Sequence, residues 1–476
     1  MQQAGARDTL RILGDMIAGY PSQPLLLRLL ACCTPHGAPK QRAHAPLDCA
    51  VPGSRPGHRN RFRKMNYTAL NSDPGLLGWM RGHPPDPARR INIQDGSARL
   101  FPQIRWAFSH SSELLPVRSI DRGQGPISLL GSALRDDLDA VQFQPLGRAT
   151  SMSWRESLEA NFTDGIVVLH RGAIVYEAYF GALSPRGQHL CASVTKSLVG
   201  TLAAWLVHDG LLDPHAPVAA IIPELAGSGF AKAMVEEVMH MTTAIRYDET
   251  YADPQADIWQ HLRAGGLYPR PKDYSGPVCF ADYLRTVSAT GEHGRAFTYR
   301  TPNTDVLGWM IRSICDKPLA QVIEERLWQP MGAERDALMQ VDQAGFDFAG
   351  GGLLAVLRDL ARFGELMRND GRVGSQQVVP QEVVRGIRRG ADPAHFAAAG
   401  YALLKGWSYA SMWWIAHDDH QVFTARGVHG QTIYVDPCAE MVVARFASHP
   451  LAANMHLDPT SLPAYRALAV HLMRES

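Results

Sequence analysis

Apolar positions recur along the chain with two different periods. Val194, Leu198, Leu202 and Leu206 return every four residues, the spacing that lines one face of a helix, and Asp209-Gly210 supplies the stop. This predicts a helix to about His208. Gly165-Ile166-Val167-Val168-Leu169-His170 and Ala173-Ile174-Val175-Tyr176-Glu177-Ala178-Tyr179-Phe180 are instead rich in β-branched and aromatic residues, with Arg171-Gly172 between them as a tight turn. They predict a hairpin. β-rich runs return after Gly406, in Trp407 to Ile415, Val422 to Gly427, Thr432 to Asp436 and Met441 to Phe446. Helical patterns occupy Trp154 to Asn161, Leu353 to Met367 and Pro463 to Met473. The cap signals Thr304-Asp305 and Asp316-Lys317-Pro318 mark helices at about 304–315 and 318–329. Strands at both ends of a helical middle predict an α+β fold, an antiparallel sheet flanked by helices with a mainly helical subdomain inserted at about 209–345. The cleft between the two parts is the natural place for a site.

Residues 1–64 lack such periodicity. They hold ten Lys/Arg against three acids, a net of +7, which leaves −6 for residues 65–476 of a chain whose total is +1. This reads as a disordered basic leader, or as residues upstream of a true start at Met65. Residues 65–150 are irregular and rich in Pro and Gly, and they predict a segment that wraps the main domain, residues 151–476. The near-neutral total argues against nucleic acid or a membrane surface as the main partner. No run of 18 apolar residues occurs, so no membrane span is expected. Pro24 to Cys32 ends like a lipoprotein cleavage box, but Arg28 interrupts its apolar core. Seven cysteines, at 32, 33, 49, 191, 279, 315 and 438, form no C-x-x-C pair. Such scatter fits a reducing compartment, and a cytoplasmic location is expected.

Chemistry concentrates at Cys191-Ala192-Ser193-Val194-Thr195-Lys196. Ser193 stands in the first turn of the predicted helix, where unpaired N–H groups and the positive dipole end gather, and Lys196 is its i+3 neighbour. A serine hydroxyl attacks a carbonyl only when a base takes its proton, and a lysine can be that base once burial lowers its pKa. Tyr299, in a loop just before a helix, is a candidate proton shuttle or phenolate-type base, the latter requiring a cation such as Lys196 beside it. Gly427-Val428-His429-Gly430-Gln431 enters a strand whose backbone N–H groups can complete an oxyanion hole with that of Ser193, while His429 can touch the substrate or hold Tyr299. G-x-S-x-G, H-E-x-x-H, G-x-x-x-x-G-K-[ST] and G-x-G-x-x-G are all missing. His417-Asp418-Asp419-His420 reads as a polar turn between strands rather than a metal site.

Ser193-x-x-Lys196, Tyr299 and His429-Gly430, in that order, resemble the β-lactamase-related serine hydrolases. Phe297-x-Tyr299-x-Thr301-x-Asn303-Thr304-Asp305, Asp248-Glu249-x-Tyr251-x-Asp253-Pro254 and His429-Gly430-Gln431 are similar to the 6-aminohexanoate-dimer (nylon oligomer) hydrolase branch, from about Trp106 to the C-terminus. The resemblance implies a β-lactamase/penicillin-binding-protein-like fold, no cofactor, no metal and an acyl-enzyme. It implies Ser193 as nucleophile, Lys196 and Tyr299 as the proton-transfer pair, and Tyr251 as a loop tyrosine closing on the substrate. The departures are a missing K-T-G, with His429-Gly430-Gln431 in its place, and a missing S-D-N, with Tyr299 replacing its serine. Gly350 stands where nylon-cleaving members carry Asn, and Leu262 stands where an acid can meet a substrate ammonium. The expected activity is hydrolysis of small esters or linear amides, with short-chain esters preferred and a homodimer compatible. Competing expectations are a β-lactamase or D-Ala-D-Ala peptidase and a non-catalytic binding module.

Overall fold

The computed structural model describes residues 66–474, so the basic leader lies outside the described residues. The hairpin forms as the sequence predicts, with β3 (Thr163–His170) against β4 (Ala173–Tyr179). It belongs to an eight-stranded sheet in the order β8 (Ser408–Ala410), β9 (Trp413–Ile415), β10 (Phe423–Gly427), β11 (Gln431–Asp436), β12 (Met441–Ala447), β3, β4 and β2 (Gly131–Ser132). Every pairing is antiparallel except β2 with β4. Successive side chains of a strand point to opposite faces, and both faces are covered here. Ile166 and Val168 pack with Trp154, Leu158 and Leu468 beneath helices α1 (Trp154–Ala160) and α7 (Asp458–Arg474). Val167 and Leu169 face the other way, into the core shared with helices α2 (Val194–His208) and α6 (Leu357–Arg368). Burial on both faces explains why these strands read as continuous apolar runs instead of alternating ones.

A second sheet decides where the site lies. Its order is β1 (Val117–Ile120), β6 (Ala337–Gln340), β7 (Leu353–Val356) and β5 (Gln188–Leu190), all antiparallel. The helix predicted from Leu353 is therefore corrected at its start: four residues form a strand and the helix begins at Leu357. Leu353-Leu354-Ala355-Val356 is buried throughout, and so short an apolar run carries no period that separates strand from helix. The run at 407–415 likewise divides, because Ser411 and Met412 adopt φ of 46° and 63° and turn the chain back between β8 and β9. The closing helix starts at Asp458, with Pro463 inside it.

Along the chain between β5 and β6 come α3 (Asp257–Ala264), α4 (Phe280–Thr286), α5 (Pro302–Cys315) and a short helix Leu319–Ile323 continued by a π-turn. Thr304 and Asp305 lie within α5, fully buried, and do not cap it. Upstream, Trp79, Ile91, Ile93, Trp106 and Leu115 enter the same core as α2. No helix among the described residues is long and apolar enough to cross a membrane.

Candidate active site

β5 delivers the chain to the site. The Cys191 N–H donates to Leu353 O at 2.8 Å, Ala192 takes a left-handed φ of 45°, and Ser193 opens α2. A non-glycine residue in this region is held there by its surroundings, and the turn leaves Ser193 at the head of the helix. Ser193 occupies the N-cap position, yet its side chain makes no capping hydrogen bond. Its hydroxyl faces Lys196 and Tyr299 instead. The helix is pinned by Val194, Leu198, Leu202 and Leu206, all fully buried, and by a hydrogen bond from Ser197 Oγ to Met412 O at 2.7 Å.

Lys196 is 1 % exposed. Its Nζ lies 3.0 Å from Ser193 Oγ and 3.1 Å from Thr301 Oγ1, and it also donates to Gly350 O. Burial draws its pKa down to about 8, against the pull of Glu249 and Asp305, which favour the ammonium. An amine that is substantially neutral at such a pH and sits within hydrogen-bond distance of a hydroxyl can take its proton.

Two carboxylates complete this charge cluster. Glu249 accepts from Thr301 N and Thr301 Oγ1, both at 2.7 Å, and from the Tyr251 hydroxyl at 3.4 Å. Thr301 Oγ1 thus bridges Lys196 and Glu249. Burial raises the pKa of Glu249, while Lys196 and Thr301 act in the opposite sense. Asp305 accepts from Gly350 N at 2.8 Å, and its other oxygen stands 3.5 Å from His261 Nε2. His261 Nδ1 meets the Tyr247 hydroxyl at 3.1 Å. Burial raises Asp305 to about 7 and lowers His261 to about 3, so the imidazole is neutral.

Tyr299 stacks on Trp414 with ring centroids 5.5 Å apart and carries Lys196 Nζ over its face at 5.3 Å. Burial first and Glu249 second raise its pKa well above the ordinary phenol, while the Ser193 hydrogen bond pulls against them. A cation is present, as the phenolate role requires, but the balance leaves a neutral phenol able to pass a proton. Tyr251 stands edge-on to Trp259, with ring centroids 5.8 Å apart, and its hydroxyl points to Glu249. Gly427, rather than His429-Gly430, is the part of the β10–β11 connection that approaches Ser193: a Cβ there would lie 3.1 Å from Ser193 N and 2.9 Å from Cys191 O. His429 turns away from Tyr299. It adopts φ 63°, its Nδ1 lies 2.7 Å from His449 O, and burial lowers its pKa to about 4.

Gly350 has a different place from the one its sequence context suggests. A Cβ there would sit 2.4 Å from Thr301 Cγ2, while its carbonyl and N–H hold Lys196 and Asp305. Leu262 is packed into the core of α3 at 4 % exposure. The four polar residues at 417–420 diverge: His417 Nε2 meets Ser408 Oγ, His420 Nδ1 meets Asp436 Oδ2, and Asp419 meets Arg466.

Residues 155–460 match the model of the beta-lactamase family. The chain belongs to that family of serine hydrolases. It is 33% identical over 357 residues to the 6-aminohexanoate-dimer hydrolase of Paenarthrobacter ureafaciens, covering 75% of this chain and 88% of that one. A Bacillus anthracis structure provisionally named 6-aminohexanoate-dimer hydrolase superposes with a TM-score of 0.74 at 30% identity, over 80% of this chain and 97% of that one. A penicillin-binding protein homologue from Caulobacter crescentus shares the fold alone, with a TM-score of 0.50 at 15% identity over 71% and 99% of the two chains. In this beta-lactamase-family chain, the sequence assigns no catalytic role to Glu249, Thr301 or Asp305, although they lie in the stretches that carry the resemblance, and it does not point to His261 at all. Asp305 is buried because the start of α5, Pro302 to Gly308, is enclosed on all sides, which no apolar period in the sequence signals.

Proposed function

We propose that the protein hydrolyses small carboxylic esters and linear amides through an acyl-enzyme on Ser193. The observation that carries this reading is the 3.0 Å contact between Ser193 Oγ and a Lys196 amine whose pKa burial has drawn to about 8. Neutral Lys196 takes the hydroxyl proton as Oγ attacks the substrate carbonyl. The developing oxyanion is stabilised by the Ser193 N–H and by strand backbone at Gly427, where no side chain intervenes. Tyr299 gives its proton to the leaving alkoxide or amine and is resupplied from Lys196. Water then attacks the acyl-enzyme by the same transfers in reverse, releasing the acid.

Esters are the better substrates on this reading, because an amine leaves only when protonated on time and an alkoxide needs less help. The partner is a small molecule and not a nucleic acid. We place the enzyme in the cytoplasm, a location supported by free thiols at Cys191, Cys279, Cys315 and Cys438. The test is intact-protein mass after incubation with a fluorophosphonate. One adduct is expected on the wild type and none on Ser193→Ala, which also loses ester turnover. An unlabelled wild type would favour a binding module on this fold, and an adduct that persists in Ser193→Ala would overturn the assignment.

A further inference from the structure

Lys196 is held by its helix, but Tyr299 lies in the loop before α5, so groups outside its own element must fix it. Its ring is boxed by aromatic neighbours. It stacks on Trp414 at 28° and stands edge-on to Tyr409, with ring centroids 5.5 and 6.1 Å away. Tyr409 in turn stands edge-on to Trp414 at 5.2 Å. Trp414 therefore carries the phenol, and whatever fixes Trp414 decides where the Tyr299 hydroxyl points.

The register of the main sheet places an arginine there. Trp414 of β9 pairs with Thr424 of β10, and Arg426 follows Thr424 by two residues. Side chains alternate between faces, so Arg426 leaves the same face as Thr424 and is the diagonal neighbour of Trp414, a separation that a long side chain can bridge. The Arg426 guanidinium carbon lies 5.2 Å from the centroid of the Trp414 ring. Its Nη2 donates to Asp458 Oδ1 at the start of α7, and both side chains are buried. Such a pair is weak evidence for stability, because desolvating two charges offsets their attraction. What this pair fixes is a planar cation over an indole, the aromatic side chain that attracts a cation best. The contacts then run from Asp458 through Arg426 and Trp414 to Tyr299, which carries Lys196 Nζ 5.3 Å from its ring centroid and 3.0 Å from Ser193 Oγ. The next residue of β10 is Gly427, where an added Cβ would lie 3.1 Å from Ser193 N.

We propose that Arg426 is a positioning residue for the leaving-group proton: it holds Trp414, and Trp414 holds Tyr299 with its hydroxyl where the departing oxygen or nitrogen needs it. The inference rests on the role given to Tyr299 above. As the tetrahedral intermediate collapses, the bond from carbon to the leaving atom breaks and its electron pair stays with that atom, which takes the Tyr299 proton. The phenolate regains a proton from the Lys196 ammonium. Burial and Glu249 raise the Tyr299 pKa and Arg426 acts in the opposite sense, so the cation also makes the phenol a readier donor.

The test varies the leaving group on one acyl chain. p-Nitrophenyl butyrate expels a stabilised anion that needs no proton, whereas ethyl butyrate expels a strongly basic alkoxide that gains from one. For both esters kcat/KM reports formation of the same acyl-enzyme. A loss of folded or active enzyme lowers the two by a common factor and leaves their ratio alone, but a displaced Tyr299 raises the ratio of aryl to alkyl ester. Tyr299→Phe sets the scale, with an expected rise on the order of a hundredfold. Arg426→Met combined with Asp458→Asn leaves no buried charge unpaired and should raise the ratio at least about tenfold. Arg426→Lys keeps a cation beside Asp458 and should bring most of that rise back. Trp414→Leu keeps the ion pair, should give the same rise as the double variant, and decides the matter where that variant does not fold. A ratio within about twofold of the wild type in the folded double variant or in Trp414→Leu, while Tyr299→Phe raises it, would overturn the proposal. No rise in Tyr299→Phe would overturn instead the role of Tyr299 on which it rests.

Discussion

Lys196 owes its chemistry to two opposed effects, burial that disfavours the ammonium and the carboxylates of Glu249 and Asp305 that favour it. Below about pH 8 the amine is mostly protonated and cannot accept the Ser193 proton; above it the free base prevails. Ester kcat/KM is therefore expected to rise with pH through about 8 and then level off. Asp305→Asn keeps an acceptor for the Gly350 N–H but removes a negative charge, which lowers the lysine pKa. The rise should move to lower pH, by roughly one unit or less. An unchanged or upward-shifted pH profile would show that Asp305 does not act through Lys196. Thr301→Val deletes the hydroxyl shared by Lys196 and Glu249, and kcat should fall on the order of ten- to a hundredfold at pH 8, as steady-state kinetics would reveal. Gly350→Asn, which sequence context alone recommends as a way to gain amide activity, meets Thr301 at once. It should cost about 1–3 kcal/mol, read as a lower Tm, and loosen Lys196.

At the scale of elements, α2 behaves as the platform of the site. Its buried row rests on the main sheet, Ser197 ties it to the β8–β9 turn, and Thr195 Oγ1 accepts from Leu353 N of β7 at 3.1 Å. The helix is thus held by both sheets, which keeps Ser193 in register with Tyr299 and Gly427. Leu198→Ala should leave a cavity costing about 2–5 kcal/mol, since rigid neighbours on several sides prevent collapse. Thermal unfolding would show it, and a drop of less than a degree would mean that the row contributes little. The elements with a clear period were legible in the chain: α2, the β3–β4 hairpin, and the strands β10 to β12 within a residue of their ends. β7 was not, because four buried apolar residues suit a strand or a helix equally, and only pairing with β5 and β6 chooses.

Across the whole molecule, residues from opposite ends of the chain share one core. Trp79, Ile91, Ile93 and Trp106 pack with α2 and the sheet, so the irregular segment is structural despite its Pro and Gly content. A chain beginning at Met65 is expected to keep its ester activity and melting temperature, because the basic leader has no periodic apolar positions. A chain beginning after His110 should lose several degrees at least, or fail to fold, since large buried side chains go with it. Differential scanning calorimetry of the two truncations distinguishes these outcomes. Equal stability would show that the segment is dispensable, and a drop for the first would show that the leader docks.

Sequence by itself determined what is local. A four-residue period requires a helix, and Ser193 and Lys196 become neighbours once it forms, because i and i+3 share a face. The strands and the order of Ser193, Tyr299 and the Gly427 region were equally readable. The tertiary structure alone decided the surroundings that give those residues their properties. Lys196 meets Thr301 across 105 positions and Gly350 across 154, and no periodicity encodes a contact at such separations. The buried Asp305, the half-buried Glu249 that shares Thr301 with Lys196, and the close approach that reserves position 350 for glycine follow from packing. Desolvation shifts a pKa only after the chain has closed around the group.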